Sequence, residues 1–255
     1  MAQALTPPQP GTPAQAPGSP LRVAVLSLAP RQPPEATLPI ALRLVQRAAA
    51  RQAQLVVLPE TWPGPGPFDP GWQPLAREAR RLGIWIAASL HEQSRGRLVN
   101  RLRLWGPGGQ LAAYDKLYPY PPLEGGVTPG RRRVTASLGA WRLGLAICFD
   151  LNAPELFRAY ADRGVELFVV CAAWPVEYGW LAEVYARARA AENQAYLALA
   201  NRPGAPALVV APDGQVLARR TREGVALADL SRERLEQYRQ EFPLRRWQAG
   251  RRGSR

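Results

Sequence analysis

The stretch WRLGLAICFDLNAPELFRAYADRGVELFVV, residues 141 to 170, constrains this chain most. An apolar run ends at Cys148, a turn of Phe149-Asp150-Leu151-Asn152 follows, then a segment of helical spacing, then a second apolar run. Strand, turn, helix and strand in that order read as a parallel α/β unit, since parallel strands need a long crossover that a helix supplies. The order puts a thiol at the carboxyl end of a strand, where open α/β sheets usually place their sites. It also puts the thiol near a helix N-terminus, whose dipole and free N–H groups favour a thiolate. The stretch alone leaves two readings open: a nucleophile, or a buried structural cysteine.

The flanking sequence repeats the same grammar. LRVAVLSL (21 to 28) reads as a buried strand, residues 38 to 52 as a helix, and QLVVLPE (54 to 60) as a strand ending in Glu60. A helix over 74 to 83, closed by Gly83, leads to a strand over 84 to 90, after which His91 is placed in a polar loop. Residues 97 to 116 read as a hairpin turning at 106 to 109, and a proline-rich loop carries the chain from Lys116 to Gly130. A second hairpin delivers Cys148. Helices over 155 to 164, 180 to 196 and 231 to 242 alternate with strands over 165 to 174, LALAN, ALVVAPDGQVLARR with its Asp213-Gly214 turn, and GVALADL. The helices are too few to wrap one large parallel sheet, so an α/β domain of two stacked sheets with helices outside uses them better. Residues 1 to 20 are a Pro-rich tail expected to be disordered, 21 to 246 one domain, and 247 to 255 a basic tail.

Composition narrows the chemistry. Of 33 Lys+Arg only Lys116 is lysine, and His91 is the single histidine. A chain that uses arginine for every other cation has kept one compact ammonium, and the two are not interchangeable in a confined site. Any Ser-His-Asp or Cys-His site would have to use His91, and neither G-x-S-x-G nor H-E-x-x-H occurs. A metal site would have few ligands beyond carboxylates, so neither metal nor cofactor is expected. The net charge of +13 comes from scattered arginines, with clusters at Arg131-Arg132-Arg133, Arg245-Arg246 and Arg251-Arg252. They form no aromatic-interleaved stripe, so the charge reads as a solvated surface and nucleic acid is not expected as the main partner. Two cysteines make no disulfide framework, which points to a reducing cytoplasm. No apolar stretch approaches the ~20 residues of a membrane span, and the N-terminus lacks the pattern of a signal peptide.

Three groups then stand where an apolar run meets a loop: Glu60 after LVVLP, Lys116 after AAYD and Cys148 after GLAI. Singly, each has a bland reading: a solvated strand end, a surface ion pair of Asp115 with Lys116, core filler. Together they supply a base, a cation and a nucleophile without a histidine. With their flanks, QLVVLPETW, YDKLYPYPPLEGGVTPG and GLAICFDLNAPELFR, and with Asn100, CAAWP, ARAAENQAY and VLARRT, the sequence resembles the nitrilase superfamily of carbon–nitrogen hydrolases, on its amidase-like branch. The resemblance spans residues 21 to 246. It implies a four-layer αββα sandwich, two mixed sheets between helix layers, paired as a homodimer or higher homo-oligomer. It implies Glu60 as general base, Lys116 as the cation at the oxyanion and Cys148 as nucleophile, with Glu124 positioning the substrate and the attacking groups.

The expected reaction is hydrolysis of a small linear amide through a thioester, in which Glu60 takes the thiol proton and later activates water. Two carboxylates in one site are expected to share a proton and raise a pKa. Phe149 and Trp174, with Tyr178, are expected along the substrate pocket. The alternatives are a nitrilase or an N-carbamoyl amino acid hydrolase; a non-catalytic module or a basic nucleic-acid-binding protein would be other classes. Where amidase-like relatives often have C-Y-D-x-R-F-P-E, this chain has Asn152 and Ala153 for the arginine and the aromatic. The segment 201 to 209 is also shorter than usual. Cys171, inside VVCAAW, is expected in the core. Arg189, Glu192 and Asn193 are expected in an internal polar network or on a dimer face.

Overall fold

The computed structural model of the chain describes residues 20–66, 68 and 71–244. The Pro-rich tail before residue 20, the Arg245-Arg246 pair and the basic tail from 247 lie outside the described residues. The first half supplies β1 (Leu21–Ser27), α1 (Thr37–Ala50), β2 (Leu55–Val57), α2 (Gln73–Leu82), β3 (Trp85–Ser94), β4 (Arg97–Gly106) and β5 (Gly109–Asp115). A one-turn helix, α3 (Pro121–Glu124), precedes β6 (Thr135–Leu138), β7 (Trp141–Ile147), α4 (Pro154–Ala161) and β8 (Leu167–Cys171). Then come α5 (Gly179–Asn193), β9 (Tyr196–Ala200), β10 (Ala207–Val210), β11 (Val216–Arg220), β12 (Gly224–Leu230) and α6 (Arg232–Glu241).

The strands form two mixed six-stranded sheets, ordered β12-β1-β2-β3-β4-β5 and β11-β10-β9-β8-β7-β6. In each, three parallel strands make the centre, β1-β2-β3 and β7-β8-β9, and antiparallel strands extend it on both sides. Strands covered on both faces read as continuous apolar runs rather than alternating ones. In β1, Val23 and Val25 meet Leu143, Leu145 and Val169 between the sheets, while Ala24 and Leu26 pack under Ala41 and Val45 of α1. On the opposite outer face, Phe157 and Tyr160 of α4 and Ala186 and Ala190 of α5 cover Phe168, Val170 and Leu199. The result is the expected order of helix, sheet, sheet, helix. Phe168 meets Phe157 edge-on at 5.0 Å. Truncation of such a buried aromatic leaves a void, so Phe168→Ala is expected to cost about 3–5 kcal/mol in unfolding free energy, measured by urea titration.

Two contacts join the sheets at one end. Glu60 N–H donates to Ala172 O (3.0 Å), and Asn201 exchanges backbone hydrogen bonds with Leu26 and Leu28 (3.2 and 3.3 Å). The carboxyl ends of β1 and β2 thus abut those of β8 and β9. The sequence-based placement of His91 in a loop is corrected, because β3 runs through Ser94 and pairs His91 with Asn100 of β4. Polar residues continue this strand because Glu92 meets Arg101 and Arg103 across the β3–β4 pair, and opposite charges on facing strands stabilise the ladder.

Candidate active site

Cys148 directly follows β7 and adopts a left-handed backbone, φ +44°. A non-glycine residue held there is strained and needs surrounding structure to keep it. That structure is a buried carboxylate two residues on. Asp150 accepts from Ile147 N–H (2.8 Å), Tyr118 N–H (3.0 Å) and Tyr114 OH (2.7 Å), clamping the turn to the loop after Lys116. Burial outweighs these donors and raises the Asp150 pKa to about 6. Arg189 of α5 donates to Leu151 O (3.0 Å) and to Glu192 (3.0 Å), and Asn193 donates back to Arg189 O (2.9 Å). These bonds form the internal polar network expected of these residues, and it holds the nucleophile turn from behind.

Lys116 follows β5 in the same way. Its N–H donates to Asn100 O (2.9 Å), and its own carbonyl accepts from Gly130 N–H (2.7 Å). A Cβ at Gly130 would lie 2.1 Å from the Asp115 carbonyl oxygen. Something must shift, and that shift moves Lys116. Gly130→Ala is therefore expected to reduce kcat by about a hundredfold, the scale of a 1 Å misplacement, in an ammonia-release assay. The alternative of a surface pair with Asp115 is not what forms. Asp115 bonds Arg101 (2.5 Å), whereas Lys116 is buried, 1% exposed.

The Lys116 ammonium sits between two carboxylates, 2.7 Å from Glu60 Oε1 and 2.5 Å from Glu124 Oε2. Asn100 Nδ2 bridges the same pair, donating at 2.8 Å to each. Tyr120 N–H donates to Glu124 Oε2 (2.7 Å), and His91 Nε2 lies 3.7 Å from its Oε1. Burial alone would raise the Glu124 pKa, but His91, Lys116 and Asn100 hold it down to about 2. The expected raised carboxylate is thus not found at Glu124, because the lysine and the asparagine lie between the two groups. Burial alone would likewise lower the Lys116 pKa, but Glu60, Cys148 and Glu124 outweigh it and raise it.

The thiol itself is not predisposed to ionise. Burial first, and the Glu60 charge second, push the Cys148 pKa well up, and Lys116 and the Ala173 N–H pull back only part of it. This overturns the expected helix-stabilised thiolate. A 3-10 turn, Cys148–Asn152, intervenes, and α4 begins only at Pro154, too far for its terminus to act.

These groups open on one cavity of about 430 Å³. Glu60, Lys116, Cys148 and Glu124 line it with Phe149, Trp174 and Tyr178, so every site residue singled out in the sequence borders the same space. Cys171 does not; it is fully buried between the sheets. His91, Asn152 and Arg202 also border the cavity. Sequence reasoning missed His91 by ending its strand too early. It missed Arg202, two residues past β9, by not applying to β9 the rule used for β7, that residues just beyond a parallel strand face the site. Among the described residues no three His, Cys, Asp or Glu are grouped to hold a metal ion.

The pKa shifts give stability a sign. Glu124 titrates near 2 in the fold against 4.5 ordinarily, so its contribution is present above pH 4.5 and lost as pH falls toward 2. Asp150 acts oppositely: its contribution is present below 3.8 and lost as pH rises through about 6. Glu124→Gln is expected to flatten the acid-side loss, read from urea midpoints at about pH 3 and pH 5. An unchanged slope would count against the Glu124 ion pair.

Residues 22–240 match the family described as Carbon-nitrogen hydrolase. The chain is 30% identical over 243 residues to Omega-amidase NIT2 of Homo sapiens, covering 80% of this chain and 86% of that protein. Among solved structures, Saccharomyces cerevisiae Nit3, a member of branch 10 of the nitrilase superfamily, aligns with TM-score 0.83 at 25% identity, over 91% of this chain and 98% of that one. An amidase from Nesterenkonia sp. aligns with TM-score 0.78 at 29% identity, over 90% and 97%. A mutant of that amidase carries the acetamide moiety of fluoroacetamide added covalently at its active site cysteine.

Proposed function

This chain belongs to the carbon–nitrogen hydrolase family and is an amidase-like hydrolase, and from that premise we propose that it hydrolyses small linear amides through a thioester on Cys148. The observation that carries the proposal is the meeting of Cys148, Glu60 and Lys116 on one cavity with Glu124 behind the lysine. Burial and the Glu60 charge both disfavour the thiolate, so in this reading it forms as it attacks. Glu60 accepts the Sγ proton as Sγ bonds to the amide carbon. The carbonyl electrons move to oxygen, and Lys116 with the Phe149 N–H receives the oxyanion, each donor worth about 3 kcal/mol. Collapse breaks the C–N bond, and Glu60 returns its proton to the leaving ammonia or amine. Water then gives a proton to Glu60 and attacks the thioester. The acid departs and the proton goes back to sulfur. Glu124 and Asn100 hold the lysine and the base in register throughout, while Phe149 and Trp174 bound the acyl group. The acetamide moiety added to the active site cysteine of the Nesterenkonia amidase supports a nucleophilic cysteine for this fold; that adduct keeps its amide nitrogen, so it bears on the nucleophile and not on the thioester.

An ammonia-release screen over short amides, nitriles and N-carbamoyl amino acids tests the reading. Turnover of amides well above the other two is expected. Preference for a nitrile or a carbamoyl compound would replace the amide reading with one of those.

We also propose that two copies pair. Val176, Tyr178, Trp180 and Val184 are exposed at and near the start of α5, a run of large apolar groups that a partner would cover. No helix among the described residues is long and apolar enough to cross a membrane. Trp180→Glu is expected to shift the sedimenting species from dimer to monomer.

A further inference from the structure

The arginine run at 131 to 133 is exposed, as its composition suggests, but it is not a loose surface patch. The segment is pinned at both ends. Gly130 N–H donates to Lys116 O (2.7 Å), and Val134 N–H donates to the Tyr160 hydroxyl (3.1 Å), which itself donates to Leu145 O (2.7 Å). Arg163 stands just past α4, its N–H fixed by Tyr160 O (3.0 Å). Arg131, Arg132, Arg133 and Arg163 line one cleft of about 590 Å³, together with Tyr118 and Glu155. This cleft shares no lining residue with the catalytic cavity.

Its charge is unbalanced. Four guanidinium groups and the single carboxylate of Glu155 leave it net +3. Glu155 accepts from the Tyr118 hydroxyl (3.1 Å). Among the described residues none of the four arginines forms an ion pair, unlike Arg101 and Arg103, which share Glu92. Like charges held together on a fixed backbone repel, and an anion that spans them relieves the repulsion. The planar fork of arginine matches phosphate oxygens. A phosphomonoester carries about −1.5 to −2 at pH 7, less than the excess of the cleft. Two or three linked phosphoryl groups carry more and reach several guanidiniums at once. The volume falls in the range of small-molecule sites. The exposed ring of Tyr118 offers a face on which a base can stack.

We propose that this cleft is a second binding site, separate from the catalytic cavity, for a ligand that carries two or more linked phosphoryl groups, either free polyphosphate or a nucleoside polyphosphate. The site does not depend on the amidase reading.

The test is calorimetric titration of the full chain with tripolyphosphate, ATP, AMP and sulfate, without divalent cations. Salt at about 0.15 M screens loose surface attraction. Tripolyphosphate and ATP are expected to bind once per chain, and AMP and sulfate at least about tenfold more weakly. Arg133→Gln and Arg163→Gln remove one guanidinium from each segment. Each is expected to weaken both polyphosphates about tenfold to a hundredfold, the worth of a charge-assisted hydrogen bond. The double variant Arg43→Gln with Arg47→Gln, exposed on α1, is expected to change nothing. Equal affinity for the two polyphosphates supports the site with the phosphoryl chain as the whole ligand. Tighter binding of ATP, lost in Tyr118→Leu, supports it with a nucleotide as the ligand. No binding of either polyphosphate, several bound per chain, or equal weakening in the α1 variant would overturn the site and leave these arginines as diffuse surface charge.

Discussion

Cys148→Ala is expected to abolish amide hydrolysis, a loss of at least about four orders of magnitude in kcat, since removing a nucleophile leaves only binding and electrostatic assistance. Cys171→Ala is expected to leave turnover nearly intact and to cost about 1 kcal/mol in stability, as an ordinary core substitution does. The contrast is informative because the two thiols end neighbouring parallel strands and are register partners of adjacent residues: Ile147 pairs with Cys171. One residue of offset puts Cys148 past the strand, at a left-handed turn facing the cavity, and Cys171 inside the strand, facing the opposite sheet. Burial raises both pKa values, but only Cys148 has Lys116 and the Ala173 N–H to offset it. Equal losses in the two variants, or loss in Cys171→Ala alone, would refute the assignment of Cys148. Mass spectrometry of native protein mixed with a slow amide should show the acyl adduct on the peptide containing Cys148.

Lys116→Arg is the second large effect, and its value lies in keeping the charge. Replacing the lysine by a neutral residue would leave Glu60 and Glu124 facing each other in a buried site, a loss of about 3–5 kcal/mol that confounds folding with catalysis. Arginine avoids that, yet its planar fork cannot occupy a point 2.7 Å and 2.5 Å from two carboxylates without pushing the cluster apart. The variant is therefore expected to fold, with a thermal midpoint within a few degrees of native, and to lose at least about a hundred- to a thousandfold in kcat, the worth of one oxyanion donor. Near-native turnover in Lys116→Arg would mean that the ammonium serves only as a counter-ion. Loss of folding in the same variant would mean that the cluster is primarily structural.

Most of the architecture was legible in the chain because burial on both faces writes itself as apolar runs, and turns write themselves as glycine and proline. The hairpin at 106 to 109, the Gly83 stop of α2, the Asp213-Gly214 turn and the serine opening α6 all behave as local chemistry requires. Local chemistry also misled. HEQS carries no apolar signal, so β3 was ended early, although cross-strand pairing of Glu92 with two arginines sustains it. PPLE reads as loop, but it makes a single helical turn that points Glu124 at Lys116.

The sequence by itself determined which groups can do the chemistry. An arginine-rich chain with one lysine, one histidine and a cysteine at a strand end has few ways to build a nucleophilic site. Only the tertiary structure decided their states. Whether Cys148 rests as thiol or thiolate, whether the carboxylates share a proton, and whether Arg163 joins the arginines at 131 to 133 depend on distances and burial between segments remote in the chain; Glu60 and Lys116 alone are 56 residues apart. Residue type sets what a group can donate or accept. Its pKa and its vacancy for a ligand are set by what the fold places within a few ångströms of it, and that information is not local in the chain.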